Sequence, residues 1–130
     1  MSKLLPAVSI CTFPAAGAVQ PTGFAFGRLG GNIRPYSVTI ANSGVVRSSG
    51  AVQVGRTRVT AVQLAALNRI ATETRFTMLP AATNCHGSLP DIATTYIRVG
   101  AHTVRVHGGC VPRYERLLKA LKASVRLAAG

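Results

Sequence analysis

The cysteine and histidine residues of the C-terminal half are the side chains of this sequence that could perform chemistry together. Cys85 is followed directly by His86, and His107 lies three positions before Cys110. Thiolate and imidazole groups are zinc ligands, and a cysteine beside a histidine can act as a nucleophile. An adjacent Cys-His pair departs from the spacing of about two to four residues that zinc sites favour. A disulfide would exclude both uses, because an oxidised sulfur is not the thiolate that either chemistry requires.

The N-terminal segment has the pattern of an export signal. Lys3 supplies a positive charge, residues 4–13 are mostly apolar, and a small-residue A-x-A pattern ends at Ala18. These features predict a signal peptide over residues 1–18 and a single mature domain over residues 19–130, secreted or associated with the cell envelope. The alternative is a cytoplasmic protein in which this segment is disordered or packs at the edge of the domain.

The cysteine count agrees with export. Cys11 would be removed with the signal peptide, which leaves Cys85 and Cys110. An even number of cysteines in an exported chain predicts a disulfide. By restricting the unfolded chain, such a bridge stabilises a domain by about 3 kcal/mol.

The charge of the chain favours an anionic partner. Fifteen Lys and Arg residues face three acidic residues, which gives a formal net charge of +12. Such an excess is typical of proteins that bind nucleic acid, anionic lipid, polyanionic cell wall or acidic proteins. Lys occurs only at positions 3, 119 and 122, and the preference for Arg, with abundant Ala, Val and Gly, also fits GC-rich codon usage. A purely compositional origin of the charge is therefore the alternative.

The sequence contains no motif of a known catalytic or membrane-spanning type. Its carboxylates, Glu73, Asp91 and Glu115, are far apart, and Asp91 has the position of a turn residue. Phosphate-binding loops and the motifs G-x-S-x-G and H-E-x-x-H do not occur. No apolar run reaches the roughly 20 residues that a membrane-spanning helix needs. We therefore expect no catalytic activity, no cofactor, no bound metal and no membrane span.

The first half of the chain predicts strands followed by a helix. Strands are predicted at 24–29, 36–40, 45–47 and near 52–54. A helix is predicted from Thr60, which with Gln63 forms a capping box, to Arg75 or Phe76. Arg69 and Glu73 have the spacing of a helical ion pair.

The second half predicts a loop at 80–91, strands at 92–99 and 103–107, and a helix that begins at Pro112. One face of this helix is apolar and the other is basic, which predicts packing against the core with a solvated basic face, or attachment to a membrane surface. The strand alternation places Arg98 and Arg105 on the face opposite Ile97. The candidate anion-binding residues are Arg98, Arg105, Arg116, Lys119, Lys122 and Arg126.

The order of elements predicts the fold class. A chain of 130 residues fits one domain, and tight turns within each strand pair favour antiparallel pairing. We expect an α+β fold with a largely antiparallel sheet of about four or five strands, two helices packed on one face and one disulfide.

Several short motifs along the chain are similar to those of known bacterial proteins. They are Gly30-Gly31, Pro35-Tyr36-Ser37-Val38-Thr39-Ile40, Ser43-Gly44-Val45, Phe76-x-x-Leu79-Pro80, Leu89-Pro90-Asp91 and Val104-x-Val106-His107-Gly108-Gly109-Cys110. Over about residues 24–126 the chain resembles small exported proteins of high-GC Gram-positive bacteria. The order of its parts is similar to that of emfourin, a proteinaceous inhibitor of thermolysin-type metalloproteases. This resemblance implies a shared fold and an inhibitory role, although the cysteine pair, the export pattern and the basic charge differ from emfourin.

Three functional hypotheses follow. The first is a secreted binding protein with a protein partner, such as an extracellular protease that it inhibits. The second is a polyanion-binding protein that acts on cell wall, anionic lipid or nucleic acid, and the third is a structural subunit of a larger assembly. Salt separates the first two, because screening weakens polyanion binding far more than shape-complementary binding.

Overall fold

A computed structural model describes residues 22–30, 33–88 and 92–129. The predicted signal peptide over residues 1–18 and the predicted turn residue Asp91 lie outside the described residues.

A mixed sheet of six strands forms the centre of the fold. Its strands are β1 (Thr22–Arg28), β2 (Tyr36–Ala41), β3 (Val46–Gly50), β5 (Ala82–Asn84), β6 (Thr94–Val99) and β7 (His102–His107). They lie in the order β3-β2-β1-β6-β7-β5, and every neighbouring pair is antiparallel except β5 with β7. The predicted α+β class and the largely antiparallel sheet are confirmed, whereas the strand count is higher than the four or five expected.

Strand β5 lies inside the segment 80–91 that the sequence predicts as a loop. The strand has three residues, too few to show an alternating pattern, and it pairs in parallel with β7. Its pairing is extended by hydrogen bonds from the Arg105 amide to the Ala81 carbonyl and from the Cys85 amide to the His107 carbonyl. The strand is therefore specified by a long-range partner rather than by its own sequence.

A second, two-stranded sheet closes one side of the core. Strand β4 (Val52–Val54) pairs antiparallel with β8 (Leu127–Ala129), which the sequence did not predict. Just after β4, the Gly55 amide donates to the carbonyls of Val125 and Arg126. The ribbon thereby satisfies carbonyl groups at the end of the last helix that have no partner within the helix.

Two helices pack on one face of the six-stranded sheet, as predicted. Helix α1 (Ala61–Glu73) begins after Thr60, and the expected capping box with Gln63 is present. Helix α2 (Pro112–Val125) begins at the predicted proline and buries its whole apolar arc. That arc consists of Tyr114, Leu117, Leu118, Leu121 and Val125.

The predicted disulfide joins Cys85 to Cys110, with 5.7 Å between their Cα atoms. It connects the end of β5 to the segment that leads into α2. Cys85 itself is buried in the core, whereas Cys110 is exposed. The bridge thus attaches the short edge strand to the helical layer.

Strand alternation gives the sheet two different sides. On β1, Phe24 and Phe26 are fully buried beneath the helices, and Ala25 and Gly27 point the other way. We call the side that the helices cover the covered side, and the opposite side the uncovered face.

Candidate anion-binding surface

The register of the strands defines the uncovered face. Its side chains come from alternate positions of all six strands. They are Ala25, Gly27, Ser37, Thr39, Arg47, Ser49, Ala82, Asn84, Thr94, Tyr96, Arg98, Thr103, Arg105 and His107. The set contains three arginines, one histidine, one amide and several hydroxyl groups, and no carboxylate. Within the described strands, the side chains of this face therefore supply hydrogen-bond donors and positive charge, and none of them is a carboxylate.

The arginines of this face lie on both sides of the central strand. Arg98 pairs with Ala25 on one side and Thr103 on the other, while Arg105 is directly opposite Tyr96. Arg98 and Arg105 are thus diagonal neighbours, for which a separation of about 7–8 Å is typical. The prediction that these two arginines share a face is confirmed.

Sequence reasoning missed Arg47, the third arginine of the face. Strand β3 was predicted to end at position 47, but it continues to Gly50, and Arg47 pairs with Thr39 on the uncovered side. The neighbouring pair is held by a hydrogen bond of 2.8 Å between the Ser37 and Ser49 hydroxyl oxygens. The run of small polar residues after Arg47 carries no hydrophobic alternation, so no local pattern indicates the extended strand.

Small residues in the middle of the face are enclosed by their neighbours. Ala25 is 3% exposed although no helix covers it. A Cβ atom at Gly27 would collide with the Tyr36 carbonyl oxygen and lie 2.9 Å from the Tyr96 ring. The Tyr96 ring therefore lies against the backbone of the central strand, beside Arg98 and Arg105.

A shallow groove crosses the β5 edge of the same face. It has a volume of about 530 Å³, and its lining includes Asn84, Thr94, Arg105 and His107. The Thr94 hydroxyl oxygen lies 3.3 Å from His107 Nδ1. Guanidinium, imidazole, amide and hydroxyl groups in one groove can bind the oxygens of an anion.

The predicted anion-binding residues do not form one site. Arg98 and Arg105 belong to the uncovered face, whereas the other four belong to α2 or its C-terminal cap. These four are Arg116, Lys119, Lys122 and Arg126. The sheet, the core and the helices separate the two groups.

Acidic residues reduce the positive charge of the helical side. Arg116 donates a hydrogen bond of 2.6 Å to Glu73 of α1, and both side chains are about half exposed. The i,i+4 spacing predicted an ion pair between Glu73 and Arg69, but Glu73 pairs instead with Arg116 of the other helix. Glu115 lies in the first turn of α2, one helical turn before Lys119.

The membrane-surface alternative for α2 is not supported. A helix that lies on a membrane inserts its apolar face among the lipids. The apolar arc of α2 is buried in the core, where Tyr114, Leu117 and Leu121 are completely inaccessible to solvent. The arc is unavailable for insertion while the domain is folded.

Two buried tyrosines, Tyr36 and Tyr114, make polar contacts on the covered side of the sheet. The Tyr114 hydroxyl lies 2.7 Å from the Thr95 hydroxyl oxygen, and burial raises the Tyr114 pKa far above its ordinary value although this hydrogen bond lowers it. Burial also raises the pKa of Tyr36, against the opposing effect of the Arg28 charge. The Arg28 guanidinium lies 4.9 Å from the centre of the Tyr36 ring. Arg28 is thus held at the end of β1.

The disulfide determines what the cysteines and histidines can do. Cys85 and Cys110 are bonded to each other and offer no thiolate to zinc or to a substrate. His107 lies on the uncovered face and His86 is exposed in the turn after β5. Across the described ranges, no cluster of three or more His, Cys, Asp or Glu side chains is positioned to hold a metal ion.

A separate apolar surface lies at one end of the sheet. Leu29, Ile33 and Ile92 are 48%, 45% and 42% exposed. Leu29 follows β1 and donates its amide to the Thr94 carbonyl at the start of β6. These residues therefore lie in the segments that leave β1 and enter β2 and β6.

Comparison with protein-family models, with curated proteins and with solved structures found no significant match. The resemblance to emfourin therefore stays a prediction. Neither described helix has the length and apolar character required to traverse a lipid bilayer.

Proposed function

We propose that this protein is a non-catalytic binding domain that acts outside the cytoplasm and binds a linear phosphodiester chain on the uncovered face. The observation that carries the proposal is the presence of three arginines on that face, whose described strand positions include no carboxylate. Positive charge of this kind attracts polyanions over long distances and contributes most of the affinity of sequence-independent binding.

The side-chain types of the face favour phosphodiester groups. Arg, Ser, Thr, Asn and Tyr side chains are those that commonly contact phosphate oxygens. All five types occur on the uncovered face, which also extends across six strands. A flexible chain with repeated phosphates could follow this face and meet donors along its length.

Base recognition contributes little in this proposal. Sheet proteins that read single strands stack several bases on surface aromatic residues. Among the described strand positions of the uncovered face, Tyr96 is the only Phe, Tyr or Trp, and its ring lies against Gly27. We therefore expect binding that depends weakly on nucleotide sequence and strongly on salt.

The absence of catalysis is part of the proposal. The two described carboxylates, Glu73 and Glu115, lie on helices, and Glu73 is paired with Arg116. The two described cysteines, Cys85 and Cys110, are bonded to each other in a disulfide. These observations support a role in binding rather than in bond making.

Fluorescence anisotropy with labelled oligo-dT of about 12 nucleotides tests the proposal, since single domains cover roughly 4–16 nucleotides. Affinity should fall steeply with salt. The Arg98→Gln/Arg105→Gln variant should lower the slope of log K against log salt by about 1.4, because each phosphate contact on a single strand contributes roughly 0.7.

An Arg69→Gln/Arg113→Gln variant is the matched control. It removes the same charge from exposed positions on the helices and should keep the slope of the unmodified protein. Equal losses in the two variants would contradict a binding surface on the sheet, and would assign the attraction to net charge alone. Inorganic polyphosphate as competitor should displace the oligonucleotide if the backbone charge dominates.

A second candidate function is protease inhibition, which the exposed apolar end of the sheet favours. Leu29, Ile33 and Ile92 could be buried in contact with a protein partner. Titration against a thermolysin-type metalloprotease should then give stoichiometric inhibition that survives moderate salt, and Leu29→Asp/Ile92→Asp should abolish it. Absence of inhibition at both low and moderate salt would reject this candidate.

A further inference from the structure

The helical side of the domain carries a second positively charged surface. Lys119 is exposed on the side of α2 that faces away from the core, Lys122 is partly exposed beside it, and the exposed Arg126 follows at the C-terminal cap. Together with Arg116 they follow the helix along its length. We call these four residues the helix face.

The helix face has the same kind of charge as the uncovered face, but it is weaker. Glu73 forms an ion pair with Arg116, and Glu115 lies on the same side of α2 as Lys119. On the uncovered face, by contrast, the described strand positions include no carboxylate. The helix face should therefore bind the same class of anion with lower affinity and a smaller dependence on salt.

The two surfaces point in opposite directions. The apolar side of α2 packs on the covered side of the sheet, so the basic side of α2 and the uncovered face form the two outer surfaces of the domain. A chain that lies along one surface cannot contact the other without leaving the protein and passing around its edge. Two separate chains can occupy both surfaces without competing.

We propose that one monomer binds two phosphodiester chains at once, one on the uncovered face and one on the helix face, and thereby bridges them. This inference rests on the proposed function of the uncovered face and adds a second, weaker site of the same chemistry. Its consequence is that the protein links polyanion chains into networks rather than coating single chains. Bridging requires no rearrangement of α2, because its apolar arc stays buried in the core and only charged surface side chains contact the two chains.

Energy transfer between two populations of labelled oligo-dT of about 12 nucleotides measures bridging directly. One population carries a donor dye and the other an acceptor dye. Each oligonucleotide is short enough to hold about one protein molecule. Energy transfer should rise as protein is added at low salt. It should fall again when excess protein separates the chains onto different molecules.

Two double variants with equal charge distinguish the surfaces. Arg98→Gln/Arg105→Gln weakens the uncovered face, and Lys119→Gln/Lys122→Gln weakens the helix face, each with the loss of two positive charges. Both variants should lose most of the energy transfer. In anisotropy, only the first should lose most of the affinity of the tighter site, because the second leaves the uncovered face intact.

The outcomes separate this inference from the proposed function. No binding of oligo-dT by the unmodified protein at low salt would reject the proposed function itself. Binding without energy transfer would reject bridging alone. Energy transfer that persists in the helix-face variant would also reject it, because a dimer that uses only the uncovered face could then join the chains.

Two controls complete the test. Thermal unfolding of both double variants should match that of the unmodified protein, and a single Arg47→Gln variant replaces the first double variant if the latter is unstable. Vesicles with anionic lipid provide the alternative partner. Aggregation of vesicles without energy transfer between oligonucleotides would overturn the inference in favour of a lipid surface.

Discussion

The covered side and the uncovered face of the sheet are made by the same strands but differ in burial and in side-chain type. On β6, Ile97 is fully buried against the helices, while its neighbours Tyr96 and Arg98 belong to the uncovered face. The buried side chains contribute hydrophobic stability, at roughly 1.5–3 kcal/mol for each large residue. The uncovered side chains contribute charge and hydrogen-bond donors. The side chains of the proposed binding surface can therefore be changed without altering the buried side chains.

The largest expected change in stability is at Ile97, and the adjacent Arg98 provides the comparison. Ile97→Ala should lower the free energy of unfolding by about 2–5 kcal/mol, because it leaves a cavity in the core. Arg98→Ala should change it by less than about 1 kcal/mol, since the side chain is only partly buried. Denaturant titration measures both values, and similar losses in the two variants would contradict the separation of the two sides.

The disulfide should contribute nearly as much as a core residue. Cys85→Ser/Cys110→Ser removes a crosslink between residues that are 25 positions apart in the sequence. The loss of this crosslink should lower the free energy of unfolding by about 3 kcal/mol. The expected result is a markedly lower melting temperature with an unchanged far-ultraviolet circular dichroism spectrum. Reduction of the unmodified protein should reproduce the shift, whereas an identical transition would show that the covered side needs no covalent support.

Gly27 is an exception to the difference between the two sides of the sheet, because it lies on the uncovered face but is buried. Gly27→Ala should destabilise the protein by about 1–3 kcal/mol, since the added methyl group meets the Tyr36 carbonyl oxygen and the Tyr96 ring. The displaced tyrosine should also alter binding on that face. Gly109→Ala is a contrasting control: its Cβ would meet open space, and Gly109 is not among the glycines with a positive φ. A change at Gly27 no larger than that at Gly109 would contradict the close packing around Gly27.

The smallest effect concerns the pH dependence that Tyr114 gives to the covered side. Burial raises its pKa in the folded protein, whereas an unfolded tyrosine ionises near pH 10. Above that pH the unfolded chain releases a proton that the folded protein retains, so the stability from this group is full below about pH 10 and is lost as pH rises. Tyr114→Phe should lower stability by about 1 kcal/mol at neutral pH, through loss of the Thr95 hydrogen bond. It should also make the alkaline decline shallower, and an equally steep decline in chemical denaturation series would reject this assignment.

Elements with a strong local pattern could be predicted from the sequence. Pro112 and the spacing of apolar residues from Tyr114 to Val125 define α2 because the helical period is repeated over several turns. Thr60 and Gln63 define the start of α1 by two specific hydrogen bonds. The disulfide followed from the cysteine count once export was assumed.

Elements that depend on distant partners could not be predicted. Strands β5 and β8 have three residues each, and their pairing partners lie far away in the sequence. The same limit applied to the candidate site. Arg98 and Arg105 were assigned to one face by alternation within a hairpin, but Arg47 joins them only through the order of strands in the sheet.

The position of β1 in the middle of the sheet affects how the chain can assemble. One edge of β1 pairs with β2, which follows closely, and the other pairs with β6, which starts at Thr94. Pairing between such distant segments is slow because a long loop must close first. Until β6 arrives, β1 keeps an open strand edge that can pair with another molecule. A chain interrupted before β6 would therefore be prone to aggregate, even though it contains a complete hairpin and the first helix.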